Sequence, residues 1–239
     1  MTRKPLKRVL LKLSGEALAG EARFGLDAST VNYIAGEVVR LHEAGVETAI
    51  VVGGGNFIRG ESFSREGGIQ QSVADQMGML GTIMNALALQ EAIEKIGPPT
   101  RVMSAVTIQA VSEPFIRRRA IRHLEKKRIV VLAAGTGNPF FTTDTASVLR
   151  ALELQCEVII KATKVDGVYD SDPNKNPDAK RYETLSFNEA ISKELGVMDQ
   201  TAFTMCREHA LPVIVLSIHE PGTIAAAARG EEVGTLVTR

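Results

Sequence analysis

A lysine stands where an apolar residue belongs. Lys12 interrupts the run Arg8–Leu13 (RVLLKL), and Ser14 and Gly15 follow at once, where the chain has to turn. Burying an ammonium costs free energy unless an anion partners it, so a phosphate ligand or a carboxylate is the chemistry that would justify it. A lysine snorkelling from a strand end is the plainer alternative. A second run, Thr48–Val52, leads into Gly53, Gly54 and Gly55 and then Arg59, reading VVGGGNFIRG. Glycines let backbone amides approach phosphate oxygens, although a tight turn alone would also use them. Neither the Walker pattern GxxxxGK[ST] nor the dinucleotide pattern GxGxxG is present.

Two further segments carry polar chemistry. AAGTGNPFFTTDT, residues 133–145, offers glycines, threonine hydroxyls and Asn138 ahead of Asp144. Such a helix start can hold an anion, and Asp144 reads equally as an N-cap, a lysine orienter or a metal partner. Phe140 and Phe141 either wall a base or pack into a core. KATKVDGVYDSDP, residues 161–173, brings Lys161 and Lys164, with Tyr169 on the loop beyond. Lys12, Arg59, Lys161 and glycine amides converging on one crevice would suffice for phosphoryl transfer, which needs positioning and charge neutralisation. No general base is conspicuous, which suits an acceptor that is already ionised.

Positioning these groups falls to alternating elements. β-branched runs at 8–13, 48–52, 101–104, 129–134, 157–162 and 213–216 predict buried strands. Helical periodicity fills 28–44, with Asp27 as cap, and 73–95, 116–127, 145–154 and 201–209. This alternation predicts a three-layer α/β/α sandwich with a mostly parallel central sheet, and any lobes must share that sheet. Residues 166–180 break the rhythm with turn formers and predict a functional loop or hairpin. Ligands of such sheets bind beyond the carboxyl ends of strands, where the glycine-rich segments fall.

The remaining features are weighed against plain packing. Met77, Met79 and Met84 with Leu80 and Leu87 predict a core-facing or subunit-facing helix. Asp75, near its start, is the exception and could meet a ribose hydroxyl. RRRAIRHLEKKR, residues 117–128, carries an apolar stripe and reads as a solvated helix. The chain has 239 residues, 28 basic and 28 acidic, so nucleic acid lacks its usual electrostatic footprint. Hydrophobic residues at 44% and charged ones at 23% place it among folded globular chains. Cys156 and Cys206 make no disulfide framework or metal motif, and the N-terminus lacks a signal-peptide pattern, so a cytoplasmic location is expected. No apolar run approaches a membrane span.

LLKLSGEAL, FGLD, VVGGGNFIRG, ADQMGMLGTIMNALAL, AAGTGNPFFTTDTA, KATKVDGVYDSDP and VMDQTAF together resemble the amino acid kinase family, in particular its bacterial uridylate (UMP) kinase branch, in order and over nearly the whole chain. The resemblance implies a single amino acid kinase domain over 1–239, with a lobe of about 1–160 binding UMP and one of about 161–239 binding ATP. It implies transfer of the ATP γ-phosphoryl to UMP, giving UDP and ADP in pyrimidine nucleotide synthesis, on a fold without a P-loop. By motif, Lys12, Leu13, Ser14, Gly15, Gly55 and Arg59 contact ATP phosphates, and Thr163, Tyr169 and Asp172 border its adenine and ribose. Gly54, Asp75, Thr136, Gly137, Asn138, Pro139, Phe140, Phe141, Thr142 and Thr143 hold UMP. Lys12, Asp144 and Lys161 form the catalytic set, with Asp144 orienting the lysines.

The same resemblance implies magnesium travelling with ATP, no metal site of the protein's own, a homohexamer and inhibition by UTP. In many members GTP activates, which points to Gly20, Glu21, Ala22, Arg23, Phe24 and Gly25. Gln90 and Glu94 leave the end of the methionine-rich helix without basic side chains, so Arg101 and Arg128 are the remaining candidates for a GTP phosphate. Two alternatives stay open: a relative phosphorylating a carboxylate or carbamate, against which TGNPFFTTDT argues, and a UTP- or GTP-binding regulatory protein.

Overall fold

The computed structural model describes residues 4–22, 24–58, 68–173 and 175–239. Its centre is one nine-stranded sheet. In chain order the strands are β1 (Arg8–Leu13), β2 (Glu47–Val52), β3 (Thr100–Ser104), β4 (Glu113–Pro114), β5 (Ile129–Ala133), β6 (Val158–Thr163), β7 (Thr184–Ser186), β8 (Val213–Ser217) and β9 (Thr235–Thr238). Across the sheet they run β4-β3-β5-β2-β1-β6-β8-β9-β7. All neighbours pair parallel except β8 with β9. The long helices are α1 (Ala28–Glu43), α2 (Gln71–Ile96), α3 (Arg117–Glu125), α4 (Thr143–Leu154) and α6 (Gln200–Glu208), with the shorter α5 (Phe187–Ser192) and α7 (Thr223–Arg229).

Strand periodicity sorts the core into two layers. Val9, Leu11 and Leu13 pack with Val38 of α1, Leu89 of α2 and Ile224 of α7. Leu10 and Ile159 face the other way, onto Leu124 of α3, Val148 of α4 and Phe203 of α6. Successive strand side chains alternate, so Lys12 shares the face of Leu10, and Lys161 that of Ile159. Both lysines therefore point toward the layer that contains α4.

β1 is also where the winding reverses. From β1 the chain moves out through β2 toward β3 and β4, and later crosses by α4 to β6 on the opposite side. A crevice opens beyond the carboxyl ends of two parallel strands at such a point. Lys12 pairs in register with Lys161 there. The sandwich and the shared sheet are as the sequence predicts. The small elements β4, β7, β9, α5 and α7 were not, being too short to show a period.

Candidate active site at the β1–β6 crevice

Two ammonium groups and one carboxylate occupy the crevice. Lys12 Nζ lies 2.7 Å from Asp144 Oδ1, and Lys161 Nζ donates to Asp144 Oδ2 at 2.7 Å. Lys161 also donates to the carbonyl of Val197. The side chains of Lys12, Lys161 and Asp144 are only 9%, 13% and 14% exposed. Two ammonium groups share one bridging carboxylate in a largely dry place, where an anionic ligand such as a phosphate would be attracted. Burial pushes the Asp144 carboxyl up, but the two lysines outweigh it and hold the group below its ordinary 3.8. Burial pushes the Lys161 ammonium down, and with Lys12 nearby it stays below 10.5 despite Asp144.

Asp144 sits in the first turn of α4 but does not cap it. The cap is Thr142, whose Oγ1 accepts from the amides of Asp144 at 3.0 Å and Thr145 at 3.2 Å. The cap reading of Asp144 is thus replaced by that of a lysine orienter. With both oxygens facing ammonium groups, Asp144 does not fit a metal ligand. Among the described residues no group of three or more His, Cys, Asp or Glu side chains could hold a metal.

A cleft opens on each side. The first, of about 450 Å³, is lined by Gly54, Gly55, Asp75, Thr136, Asn138, Phe140, Phe141, Thr142 and Thr143 among others. Asp75 Oδ2 accepts from the Phe140 amide at 2.8 Å, spanning from α2 to the strap before α4. Phe140 has φ +69° and is 68% exposed, with Phe141 53% exposed beside it. They are walls of the cleft and not core. The second cleft, about 590 Å³, is lined by Lys161, Thr163, Tyr169, Asp172 and Val197 among others. The Tyr169 hydroxyl donates to Asp166 at 2.6 Å, and an isolated antiparallel bridge joins Tyr169 to Arg181. Adjoining the second cleft, with which it shares Lys161 and Thr163, a hollow of about 180 Å³ is bordered by Lys12, Ser14, Glu16, Lys161 and Lys164 among others.

Glycine is required at one turn of this wall. A Cβ on Gly15 would lie 2.6 Å from Asn56 Oδ1 and 2.7 Å from the Gly53 carbonyl, so the β1 and β2 turns touch backbone to backbone. Asn56 and Asn85 lock that contact through reciprocal amide bonds of 2.9 and 2.7 Å, and Asn85 also donates to the Gly53 carbonyl at 2.7 Å. Sequence reading passed over Asn85, although a fully buried asparagine on a helix of apolar neighbours is a signal in itself. It also passed over Asp199, discussed below.

The other expected residues divide. Leu13 is buried at the end of β1. Gly137 has φ +82° on the strap and Pro139 precedes Phe140. Arg59 and Arg23 lie outside the described residues. Gly20, Glu21 and Ala22 form a short 3-10 turn, and Gly25 exchanges bonds with Asn56 while Phe24 meets Phe57 edge-on. Arg101 instead borders a separate hollow with Gln90, Val102, Glu113 and Pro114, which none of the described residues among 20–25 line. Arg101 is engaged by Glu94 at 3.2 Å, and Arg128 meets His123 Nδ1 at 3.1 Å. Among the described residues the structure does not bring the two sets together within this chain.

A parallel sheet with paired lysines at its switch point and a cleft to either side defines a three-layer α/β protein. Residues 7–217 match the amino acid kinase family, and the chain belongs to it. The chain is 54% identical over 238 residues to the chloroplastic uridylate kinase PUMPKIN of Arabidopsis thaliana, covering 99% of this chain and 70% of that one. Its fold matches the UMP kinase of Bacillus anthracis with a TM-score of 0.95 at 41% identity, over 98% and 97% of the two chains. The Ureaplasma parvum UMP kinase matches at 0.90 and 34%, over 99% and 100%. The Archaeoglobus fulgidus uridylate kinase matches at 0.73 and 27%, over 96% and 99%.

Proposed function

We propose that this protein is a UMP kinase, passing the γ-phosphoryl of ATP to the phosphate of UMP. The observation that carries the reading is the Lys12–Asp144–Lys161 cluster placed between two clefts. UMP occupies the cleft of Asp75, Phe140 and Thr142, in the lobe of about 1–160. ATP lies along Thr163, Tyr169 and Asp172, in the lobe of about 161–239, with its γ-phosphoryl over the hollow of Lys12 and Ser14. The attacking oxygen belongs to a phosphate that is already ionised, so no side chain has to remove a proton first. Lys12, Lys161 and the amides near Gly15 and Gly55 neutralise the charge that develops, and Asp144 fixes the lysines. Magnesium arrives on the ATP phosphates.

UTP acts as an inhibitor, as the family resemblance implies. An anionic activator such as GTP at Arg101 has to displace Glu94, 3.2 Å away, and Glu113, 4.0 Å away. Exposed Val73, Leu80 and Met84 along α2 support a homo-oligomer, a hexamer by the family's pattern. The test is ADP release from ATP and magnesium with UMP, CMP, acetylglutamate, aspartate or carbamate as acceptor, and UTP added to the best. Turnover confined to UMP, and depressed by UTP, is expected. Turnover on a carboxylate or carbamate would overturn the acceptor assignment.

A further inference from the structure

One carboxylate outside the catalytic set braces the start of the helix that carries Asp144. Asp199 caps α6 by accepting from the Ala202 amide at 2.9 Å. Its Oδ2 also accepts from the Thr142 hydroxyl at 2.5 Å, and its two oxygens receive the Thr145 hydroxyl at 3.0 and 3.1 Å. Thr142 and Thr145 begin α4, the helix that presents Asp144. Two residues before Asp199, Val197 accepts from Lys161 and lines the ATP cleft, whereas Thr142 lines the UMP cleft. The segment 197–199 therefore joins the two clefts.

Hydrogen-bond counting shows why a carboxylate is needed. Thr142 Oγ1 already accepts from the amides of Asp144 and Thr145, so its single proton must go to an acceptor. Asparagine at 199 could keep the α6 cap through its carbonyl, since it caps as well as aspartate. Its amide would then face Thr142 donor to donor. The substitution thus separates fold support from support of α4.

We propose that Asp199 is a positioning residue for phosphoryl transfer, orienting the Thr142–Thr145 turn so that the UMP cleft and Asp144 are set together. The proposal rests on the active-site reading above. Asp199 touches no reacting atom and acts through Thr142 and Thr145. It also adds a second negative charge near Lys161, beside Asp144 and opposite Lys12.

The experiment is steady-state kinetics on Asp199→Asn, Thr142→Val, Thr142→Ser and the Asp199→Asn/Thr142→Val double variant, with ATP and UMP varied separately. Asp199→Asn and Thr142→Val should each lose about 10- to 100-fold in kcat/KM for UMP while the ATP KM hardly moves. The double variant should resemble the worse single, Thr142→Val, because each change removes the Thr142–Asp199 bond and Thr142→Val also loses the α4 cap. Thr142→Ser, which keeps the hydroxyl, should restore most of the rate. The alkaline fall in kcat/KM should move to lower pH in Asp199→Asn but not in Thr142→Val, a change that loss of packing alone would not produce. Additive losses, a rise in the ATP KM as large as that in the UMP KM, or an unmoved alkaline limb would overturn the proposal. If Asp199→Asn does not fold, equal behaviour of Thr142→Ser and Thr142→Val overturns it instead. Lys12→Ala in the same assay separates the two levels: full turnover there sinks the active-site reading, whatever Asp199 does.

Discussion

Lys12 and Lys161 stand side by side in register on adjacent parallel strands, and each ammonium lies 2.7 Å from a different oxygen of Asp144. Like charges at neighbouring positions on one sheet face repel, so the pair is tolerable only because α4 lowers a carboxylate between them. The arrangement also leaves donor capacity unused. An ammonium has three protons, and among the described residues the ion-pair partner of Lys12 is the single oxygen Asp144 Oδ1. The hollow beside Ser14 is where the rest can act.

Removing either lysine should therefore affect rate more than affinity. Lys12→Ala or Lys161→Ala is expected to lower kcat by about 10²- to 10³-fold, the range for deleting one preorganised donor. kcat and kcat/KM should fall together in initial-rate measurements, as for an interaction strongest in the transition state. A rise in KM with normal kcat would assign the lysine to ground-state binding.

Asp144→Asn should be worse for the fold. It leaves the buried Lys12 ammonium without its carboxylate and Lys161 with only the charge of Asp199, a loss in the range of about 3–5 kcal/mol for a broken buried pair. Chemical denaturation should show that loss at neutral pH. Lys12→Met added to Asp144→Asn should recover part of the stability without recovering turnover. No recovery would mean that charge repulsion is not the cause.

The same cluster sets two pH limits. Asp144 has a folded carboxyl below its unfolded value of 3.8, so its contribution to stability is complete above that value and lost as pH falls through the folded one. Lys161 titrates below 10.5 when folded, so keeping it protonated costs stability at neutral pH, and that cost disappears as pH rises toward 10.5. Activity moves the opposite way, because the neutral amine no longer attracts phosphate. A kcat/KM profile should fall on an alkaline limb below 10.5, and a limb at or above that value would contradict the burial of Lys161.

Much of this site was legible in the sequence because its odd residues interrupt regular patterns. Lys12 breaks an apolar strand whose bounds, 8–13, the structure reproduces, and the period of two already put it on one face with Leu10. The clefts follow from where glycine-rich turns leave parallel strands. What stayed hidden depends on long-range contact. Thr142 and not Asp144 caps α4, although both residue types cap helices and nothing in the local pattern separates them. Asp199 sits in an ordinary capping position, and only the fold brings it against residues 54 and 57 positions earlier in the chain. β9 reverses direction beside β8 within a chain of parallel strands, and four residues carry too little pattern to show it.

The two cysteines should be inert. Burial pushes both thiols up to about 12, leaving almost no thiolate at neutral pH. A chromogenic disulfide reagent at pH 8 should report no fast-reacting thiol in the native protein and two after denaturation. A fast native thiol would mean that the layer between α4 and α6 opens readily.

Asp75 should act on UMP in two ways that can be separated. Its carboxylate holds the Phe140 amide at 2.8 Å, and Phe140 adopts φ +69°, a left-handed conformation that costs a non-glycine residue about 1–3 kcal/mol. The strap is thus kept in a strained shape by one bond across the cleft. Asp75→Asn retains an acceptor for that amide but loses the charge, whereas Asp75→Ala loses both. UMP KM should rise about tenfold or less for Asn and further for Ala, since a neutral hydrogen bond contributes about 0.5–1.5 kcal/mol. Phe140→Gly removes the strain and should leave Tm equal or higher, yet it also removes an aromatic wall and should raise UMP KM. Adding Asp75→Ala to Phe140→Gly should then cost less in Tm than Asp75→Ala alone, because glycine adopts the left-handed shape without help. Equal costs in the two backgrounds would show that the bond does not hold the strap.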